Sequence, residues 1–345
     1  MHSWRFYSIE APIMAINIGN IQIGNPVMLA PMTGVSDLPF RKLVRKFGVG
    51  MVVSEMIASR AMVLQTRNTM RMAQHDDGAS PKVVQLAGCE PEVMAEAAKL
   101  NEDMGADIID INFGCPVKKV VNGDAGSALM RKEKLAGEIL EATVNAVKIP
   151  VTLKMRMGWD HDSLNAPLFA KMAEDLGIQM ITVHGRTRCQ MYKGSADWQY
   201  IKNVKEATKL PVIVNGDIVD FDSVDTALEE SNADGVMIGR GCYGKPWFPQ
   251  QVIEHLSGND ITTRPSLEEE RDMVLDHYDD MLTTYGEVNG VRVARKHIGW
   301  YSKGLYGGAE FRHRFNQHNE AAPAIAEIKD FYQSLIDHGA TREGF

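Results

Sequence analysis

The sequence predicts an α/β protein: a (β/α)8 barrel, or TIM barrel, followed by a small all-helical C-terminal domain. Short apolar runs rich in β-branched residues recur eight times, at intervals averaging about 30 residues, the length of one βα unit. Most runs are continuous rather than alternating, which is typical of strands buried on both faces. Helical patterns fill the intervals. Eight strands alternating with helices indicate a closed barrel, and an open doubly wound sheet is the alternative.

The eight runs are predicted to be the barrel strands, in chain order. They are Pro26–Leu29, Gly50–Val53, Lys82–Leu86, Asp107–Ile111, Val151–Met155, Met180–Val183, Val212–Val214 and Gly235–Ile238. The clearest intervening helices are predicted over residues 91–104, 131–147 and 168–176, two of which stop at a glycine. Polar residues follow nearly every run, so we expect a functional site at the carboxyl ends of the strands.

The chain changes character after about residue 250. Residues 257–265 have the composition of a linker. Ser266 and Glu269 then form a capping box that begins a helix, and an apolar stripe over residues 325–336 marks the last helix. We therefore expect three parts: an N-terminal extension over residues 1–12, the barrel over 13–255 and a helical domain over 260–345.

Charge is distributed unevenly along the chain. Its 37 basic and 45 acidic residues give a net charge of −8, so nucleic-acid binding would require a local basic face. Residues 291–314 hold a local excess of basic residues. A helical projection places four of them on one face, where they form either an ordinary solvated face or a contact with a phosphate backbone. These residues are Arg292, Arg295, Lys296 and Lys303.

The cysteines and the hydropathy pattern bear on the compartment. The four cysteines form no CxxC pair and no zinc-ligand spacing, so we predict free thiols, no metal site and a reducing compartment. The longest apolar runs fall short of the roughly 18–20 residues of a membrane span, and the N-terminus lacks a signal-peptide pattern. We expect a cytoplasmic, monomeric protein without a membrane partner.

The loops after the last two predicted strands suggest a phosphate site. Asn215, Gly216 and Asp217 follow the seventh strand, and Gly239 and Arg240 follow the eighth. Glycine lets backbone N–H groups approach phosphate oxygens, and arginine supplies a forked cation. The Asp217 carboxylate would repel phosphate, so we expect it to orient the loop or bind a hydroxyl. A G-x-G-x-x-G pattern begins at Gly239, but a linker and helices follow it, which disfavours a dinucleotide-binding fold.

Five further side chains at strand ends could take part in chemistry. Lys154 suits either a Schiff base or a fixed cation beside an electron-rich cofactor, and His184 could donate to a cofactor carbonyl or phosphate. Gln85 and Asn112 are amides that suit an amide-bearing ring. Cys115 begins a long loop that resembles a substrate-covering lid. A thiol with an ordinary pKa of about 8.5 is protonated at neutral pH and can act as a general acid.

Together these motifs resemble the tRNA-dihydrouridine synthase family, which reduces uridines in tRNA with FMN. The opening motif and the Cys-Pro-Val-Lys-Lys stretch resemble its bacterial B-type subfamily. The matching stretches, in family order, are Leu29–Asp37, Asn112–Lys119, Gly126–Leu129, Lys154–Arg156, His184–Tyr192, Ala196–Trp198, Asn215–Asp217 and Gly239–Arg240. Thr33, Gly241 and Cys242 depart from the family pattern by small-for-small changes.

The resemblance implies a role for each matching residue. Cys115 would be the proton donor. Residues implied to bind FMN are Pro31, Met32, Thr33, Gln85, Lys154, His184, Asn215, Gly216, Asp217, Gly239 and Arg240. Asn112 would lie beside the target base. The tRNA contacts would come from Lys118, Lys119, Arg156, Arg186, Arg292, Arg295, Lys296 and Lys303.

The implied reaction reduces the C5=C6 bond of a D-loop uridine, with hydride from reduced FMN to C6 and a proton from Cys115 to C5. NADPH or NADH would be the transient reductant, and the uridine would leave its stack to reach the flavin. Three alternatives remain open from the residues: an FMN-dependent reductase or dehydrogenase of a free pyrimidine, a Schiff-base aldolase using Lys154, and an RNA-binding scaffold without chemistry.

Overall fold

The computed structural model describes residues 15–74, 78 and 80–340. Its strands are β1 (Ile16–Ile18), β2 (Ile21–Ile23), β3 (Val27–Leu29), β4 (Met51–Val52), β5 (Ile57–Ala58), β6 (Val83–Ala87), β7 (Ile108–Phe113), β8 (Val151–Arg156), β9 (Ile181–His184), β10 (Val212–Asn215) and β11 (Gly235–Ile238). Each predicted strand overlaps one of these elements. The predicted 1–12 extension lies outside the described residues.

The helices alternate with the barrel strands and then continue alone. They are α1 (Leu38–Arg45), α2 (Ser59–Val63), α3 (Arg67–Met72), α4 (Pro91–Asp103), α5 (Lys118–Val121), α6 (Glu133–Ala146), α7 (Ala166–Asp175), α8 (Trp198–Ala207), α9 (Phe221–Ser231), α10 (Phe248–Leu256), α11 (Leu267–Tyr285), α12 (Glu287–Tyr301), α13 (Gly308–Phe315) and α14 (Ala321–Asp337). The three helices predicted between strands correspond to α4, α6 and α7. No helix in the described part of the chain is long and apolar enough to cross a membrane.

The parallel strands form a closed TIM barrel. Their order is β4-β3-β11-β10-β9-β8-β7-β6-β5, and every pairing is parallel. Val53 bridges to Val83, and the Ser54 N–H donates to the Val83 carbonyl at 3.1 Å, which joins the β4 side to β6. The predicted barrel is therefore confirmed, with the short segment β5 as an addition. All the strands point the same way, so their carboxyl ends form one rim.

A hairpin that the sequence reasoning missed closes the opposite end of the barrel. Strands β1 and β2 pair antiparallel, and the buried side chains of Ile16, Ile18 and Ile23 belong to a separate hydrophobic cluster. The same cluster contains residues at the start of the barrel strands, including Met28 and Met180. The hairpin thus covers the amino end of the barrel with apolar contacts.

The four C-terminal helices α11–α14 have their own hydrophobic core, which also takes in Leu43 and Trp247 from the barrel. The predicted capping box is present, because Ser266 and Glu269 satisfy each other's backbone N–H groups at the start of α11. We refer to α11–α14 as the tail.

The tail is seated beside the β3 and β11 side of the rim by polar and aromatic contacts. The Tyr285 hydroxyl donates to Asp37 at 2.7 Å. Trp300 of α12 stacks on Tyr243, which follows β11, with ring centroids 3.9 Å apart. The tail is thereby attached directly to residues that follow barrel strands.

Candidate functional site

A cavity of about 480 Å³ opens at the carboxyl rim of the barrel. It is the space in which most of the predicted site residues meet. Its lining includes Pro31, Met32, Thr33, Gln85, Asn112, Cys115, Lys154, Arg156, His184, Asn215, Gly216, Asp217, Gly239 and Arg240. A separate cleft of about 620 Å³ lies between the start of α9, α10, the linker and the end of the tail.

The floor of the cavity contains a buried chain of hydrogen bonds centred on Asp110. Gln85 Nε2 donates to Asp110 at 2.6 Å, Thr152 Oγ1 donates to it at 2.6 Å, and Asn112 Nδ2 donates to Gln85 Oε1 at 2.7 Å. Burial raises the pKa of Asp110, while the hydrogen bonds from Thr152 and Gln85 and the nearby Lys154 oppose that rise. The network fixes the Gln85 amide and leaves its second N–H for a ligand.

Lys154 places a buried ammonium among these groups. The residue is 8% exposed, and its Nζ donates to Asn215 Oδ1 at 3.0 Å. Asn215 in turn donates from Nδ2 to the Met237 carbonyl at 2.7 Å, which fixes the orientation of its amide. Burial lowers the pKa of Lys154 to about 8, so the amine is mostly protonated at pH 7. It therefore offers a positive charge inside the cavity.

Cys115 is held at the cavity edge by its backbone. Asn112 Oδ1 accepts from the Cys115 N–H at 2.8 Å, and the Ser127 hydroxyl donates to the Cys115 carbonyl at 2.8 Å. Burial raises the pKa of the thiol, although the Val117 N–H and the nearby cations act in the other direction. The thiol is therefore protonated at neutral pH and half-buried, as a general acid requires.

The phosphate-site residues form a corner of the cavity around Asp217. The Asp217 carboxylate accepts a bidentate bond from Arg186, a bond from Arg240 at 2.8 Å and a bond from the Ala196 N–H at 2.9 Å. Burial favours a raised pKa for Asp217, but the Arg186 bond outweighs it and the pKa is lowered. Asp217 thus binds both guanidiniums of this corner, while Arg240 stays half exposed.

Backbone geometry keeps this corner open. Gly216 has a φ of +114°, which favours glycine, and a Cβ there would lie 2.9 Å from His184 Cδ2 and 3.0 Å from Ala196 Cβ. Burial, and then the neighbouring cations, lower the pKa of His184 well below its usual value. Because Arg186 can only donate, the neutral imidazole accepts at Nε2 and carries its proton on Nδ1.

Two arginines predicted to contact tRNA are buried, although Arg156 still lines the cavity. Arg156 is 2% exposed and donates to the carbonyls of Gly114, Thr187 and Met191 at 2.8–2.9 Å. Arg186 is 1% exposed and binds Asp217 and two loop carbonyls. Arg156 thus joins the loops after β7 and β9, and Arg186 binds the loop after β9, because the carbonyls of these loops need hydrogen-bond donors. We therefore assign both residues a positioning role.

The predicted lid and basic face also differ from expectation. Residues 115–131 are not one long loop, since they contain α5 and a 3-10 helix over Gly126–Arg131. Lys118 and Lys119 are exposed on α5. In the tail, α12 ends at Tyr301, so Lys303 is not on the helix with the other three residues.

Those three residues have different surroundings. Arg292 is exposed. Arg295 donates to the His318 carbonyl at 3.1 Å and to Asn319 at 3.2 Å. Lys296 faces the barrel at Gly34, where an added Cβ would lie 3.4 Å from its Nζ. The expected basic stripe is thus divided between solvent, the tail and the barrel rim.

The cavity also contains residues that the sequence reasoning did not select. Met56, Tyr192 and Tyr243 line it, and Asp110 lies beneath it. The signal for Asp110 was available, because residues two apart on a strand share a face and Asp110 precedes Asn112 by two. Tyr192 lay within a matching stretch and Tyr243 within the G-x-G-x-x-G pattern, but neither position alone indicated a cavity wall.

The chain is similar to known proteins over nearly its whole length. The family model for dihydrouridine synthase matches residues 28–336. A probable tRNA-dihydrouridine synthase of Rickettsia bellii is 58% identical over 93% of this chain and 99% of that protein. The tRNA-dihydrouridine synthase B of Pseudomonas aeruginosa is 43% identical over 94% of this chain and 98% of that protein.

Similarity to solved structures concerns the fold. Histamine dehydrogenase from Rhizobium matches with a TM-score of 0.53 at 14% identity, over 79% of this chain and 51% of that one. An amine oxidase from Pseudomonas geniculata matches with a TM-score of 0.52 at 12% identity, over 72% of this chain and 50% of that one. With the family match and the two relatives above, the conclusion is direct: this chain is a member of the dihydrouridine synthase family.

Proposed function

We propose that the protein reduces the C5=C6 bond of uridine in tRNA to 5,6-dihydrouridine. The relatives that match over nearly the full length carry the name of this activity. The observation that carries the proposal is the cavity itself, which presents a protonated thiol, Cys115, and a buried ammonium, Lys154, to the same space. A general acid and a fixed cation are what reduction of a conjugated uracil ring requires.

The cavity suits FMN as the resident cofactor. Arg240 is half exposed beside a glycine corner, where backbone N–H groups and a guanidinium can receive a phosphate. The free N–H of Gln85 and the ammonium of Lys154 suit the polar edge of an isoalloxazine ring. Pro31, Met32 and Thr33 would lie along the ring, with His184, Asn215, Gly216, Asp217, Gly239 and Arg240 towards the ribityl phosphate. Bound and reduced, FMN would supply the hydride.

The protein's own residues supply the proton and the alignment. Asn112 and Ser127 fix the backbone of Cys115, so the thiol is held towards the cavity. The proton would pass from Sγ to C5 of the uracil as C6 receives hydride, and the thiolate would recover a proton from water. The overall change consumes uridine, NADPH or NADH, and a proton, and yields dihydrouridine and NADP⁺ or NAD⁺.

The tRNA would enter from the rim and turn its uridine into the cavity. Lys118 and Lys119 are exposed beside Cys115, and Arg292 and Lys303 are exposed on the tail. These cations could neutralise backbone phosphates on either side of the flipped base. Lys296 and Arg295 would hold the tail surface on which such contacts depend. We expect the protein to act as a cytoplasmic monomer.

Nucleoside mass spectrometry tests the reaction. The purified flavin-loaded protein is incubated with NADPH and tRNA transcripts that lack dihydrouridine, beside Cys115→Ala and Cys115→Ser variants. We expect dihydrouridine with the unaltered protein and at least a hundredfold slower formation with Cys115→Ala. The serine variant controls for size and retains a much weaker acid. No dihydrouridine from a loaded protein that NADPH reduces would contradict the proposal, and the same protein would then be assayed with free pyrimidines.

A further inference from the structure

We propose that Trp159, Arg131 and Arg188 form a second contact for the RNA backbone, at the side of the cavity mouth opposite the tail. This inference rests on the proposed function and deepens it by naming where the substrate is held. Arg131 ends the 3-10 helix after β7, Trp159 follows β8, and Arg188 follows β9. All three therefore belong to the same rim that carries Cys115. We call them the rim cluster.

The two guanidiniums are held by the indole ring. Arg131 Cζ lies 3.5 Å and Arg188 Cζ lies 4.6 Å from the centre of the Trp159 ring. Within residues 15–74, 78 and 80–340, neither guanidinium has a carboxylate or carbonyl partner, and Arg188 Nε is buried without an acceptor. The neighbouring Asp160 carboxylate is already bonded to Ser163 Oγ at 2.6 Å. Two oriented cations without counter-ions form a site for anions.

Hydrogen bonds to main-chain carbonyls keep the cluster in place. The Arg188 N–H donates to the Gly158 carbonyl at 3.0 Å, and the Cys189 N–H donates to the Trp159 carbonyl at 2.9 Å. Asn165 Nδ2 donates to the Met130 carbonyl at 2.8 Å, which ties the loop after β8 to the residue before Arg131. Three loops are thus joined, so binding an anion there requires little further ordering.

The position of the cluster favours a long polyanion as its ligand. In the barrel order β8 is four strands from β3 in either direction, so Trp159 lies across the mouth from the tail. Cys115 follows β7, the strand next to β8, so the thiol is on the same side of the mouth as the cluster. An RNA strand that delivers one uridine to the cavity continues on both sides of it, and its phosphates need cations on both sides. None of the three residues lines the cavity, so a free pyrimidine bound there would not need them.

The test compares Arg131→Gln/Arg188→Gln with a matched double variant, Lys148→Gln/Lys209→Gln. The two control lysines are exposed and precede β8 and β10, at the opposite end of the barrel, so the same charge is removed elsewhere. Binding of fluorescently labelled tRNA transcript is followed by anisotropy over a range of salt concentrations, and KM and kcat are measured separately. Trp159→Leu removes the ring but keeps both charges.

We expect the arginine variant to raise Kd and KM for tRNA about tenfold and to reduce the salt slope by roughly 1.5, with kcat retained. Trp159→Leu should raise Kd about threefold. The lysine control should match the unaltered protein. Unchanged Kd and salt slope in the arginine variant would overturn the inference. A raised KM for NADPH with unchanged tRNA binding would also overturn it, because the cluster would then serve the reductant.

The binding assay separates this inference from the reaction. Anisotropy needs no turnover, so an unaltered protein that binds tRNA through the rim cluster but forms no dihydrouridine would refute the proposed function alone. A protein that forms dihydrouridine at the same KM with and without the two arginines would refute the rim cluster alone. Flavin content and circular dichroism of each variant show whether it is folded.

Discussion

Replacing Arg186 tests whether this arginine fastens the loop or binds substrate. The Arg186 side chain is 2% exposed and holds Asp217, whose side chain is 27% exposed, in a bidentate pair. Arg186→Gln leaves Asp217 with only Arg240 and the Ala196 N–H. Breaking a fully buried ion pair costs about 3–5 kcal/mol. Because Asp217 is partly exposed and keeps one cation, solvent screening brings our estimate towards the lower limit, about 3 kcal/mol.

The measurement is chemical denaturation of the protein without flavin, with thermal melting beside it. A loss of this size should lower the melting temperature by roughly 5–10 °C. Arg292→Gln, at an exposed position, is the control and should change stability by less than about 0.5 kcal/mol. The double variant Arg186→Gln/Asp217→Asn should recover part of the loss, because it removes the carboxylate that the single variant leaves unbalanced.

The opposite result would restore the expectation drawn from the sequence. If Arg186→Gln were as stable as the unaltered protein and only raised KM for tRNA, the guanidinium would be a substrate contact rather than a brace. Arg186 would then bind the substrate despite its burial.

Three further predictions concern other parts of the molecule. Burial lowers the pKa of His277 to about 3, so this imidazole stays neutral in the folded protein at a pH where it is protonated in the unfolded chain. The free energy of unfolding should therefore fall by about 2 kcal/mol from pH 7 to pH 5. His277→Asn should reduce this pH dependence, measured by the denaturation midpoint. Gly216→Ala should impair flavin retention, measured by absorbance after gel filtration, because its Cβ would meet His184; unchanged retention would contradict this. Asn112→Ala should lower kcat about tenfold or more while flavin is retained, because it frees the Cys115 backbone; an unchanged kcat would argue against positioning.

The barrel was predictable because its pattern is local. Each strand is a short apolar run, and each interval contains one helix, so the order and number of elements follow from composition along the chain. The hairpin β1–β2 carried a signal too. Residues 16–23 alternate apolar and polar around Gly19 and Asn20, which is the pattern of a tight hairpin. The hairpin contains no continuous apolar run, which is the feature that marks the barrel strands.

The orientation of long side chains was not predictable in the same way. Arg156 ends β8 and Arg188 follows β9, yet the first binds three carbonyls and the second stacks on Trp159. That choice depends on where loops distant in sequence leave acceptors. Lys303 shows a related limit, because helical spacing applies only as far as the helix, and α12 ends two residues earlier.

The rigid attachment of the tail to the barrel rim bears on which uridine of the substrate would be reduced. Trp300 stacks on a wall residue of the cavity, and Tyr285 is bonded to Asp37 at the barrel rim. At Gly244 an added Cβ would lie 2.4 Å from the Trp300 carbonyl, so the two backbones meet without space for adjustment. The distance from the surface of the tail to the Cys115 thiol is therefore set by the fold. Under the proposed function, this distance determines which uridine of the tRNA reaches the cavity. Tilting the tail would change which position is reduced and would leave the reaction unchanged.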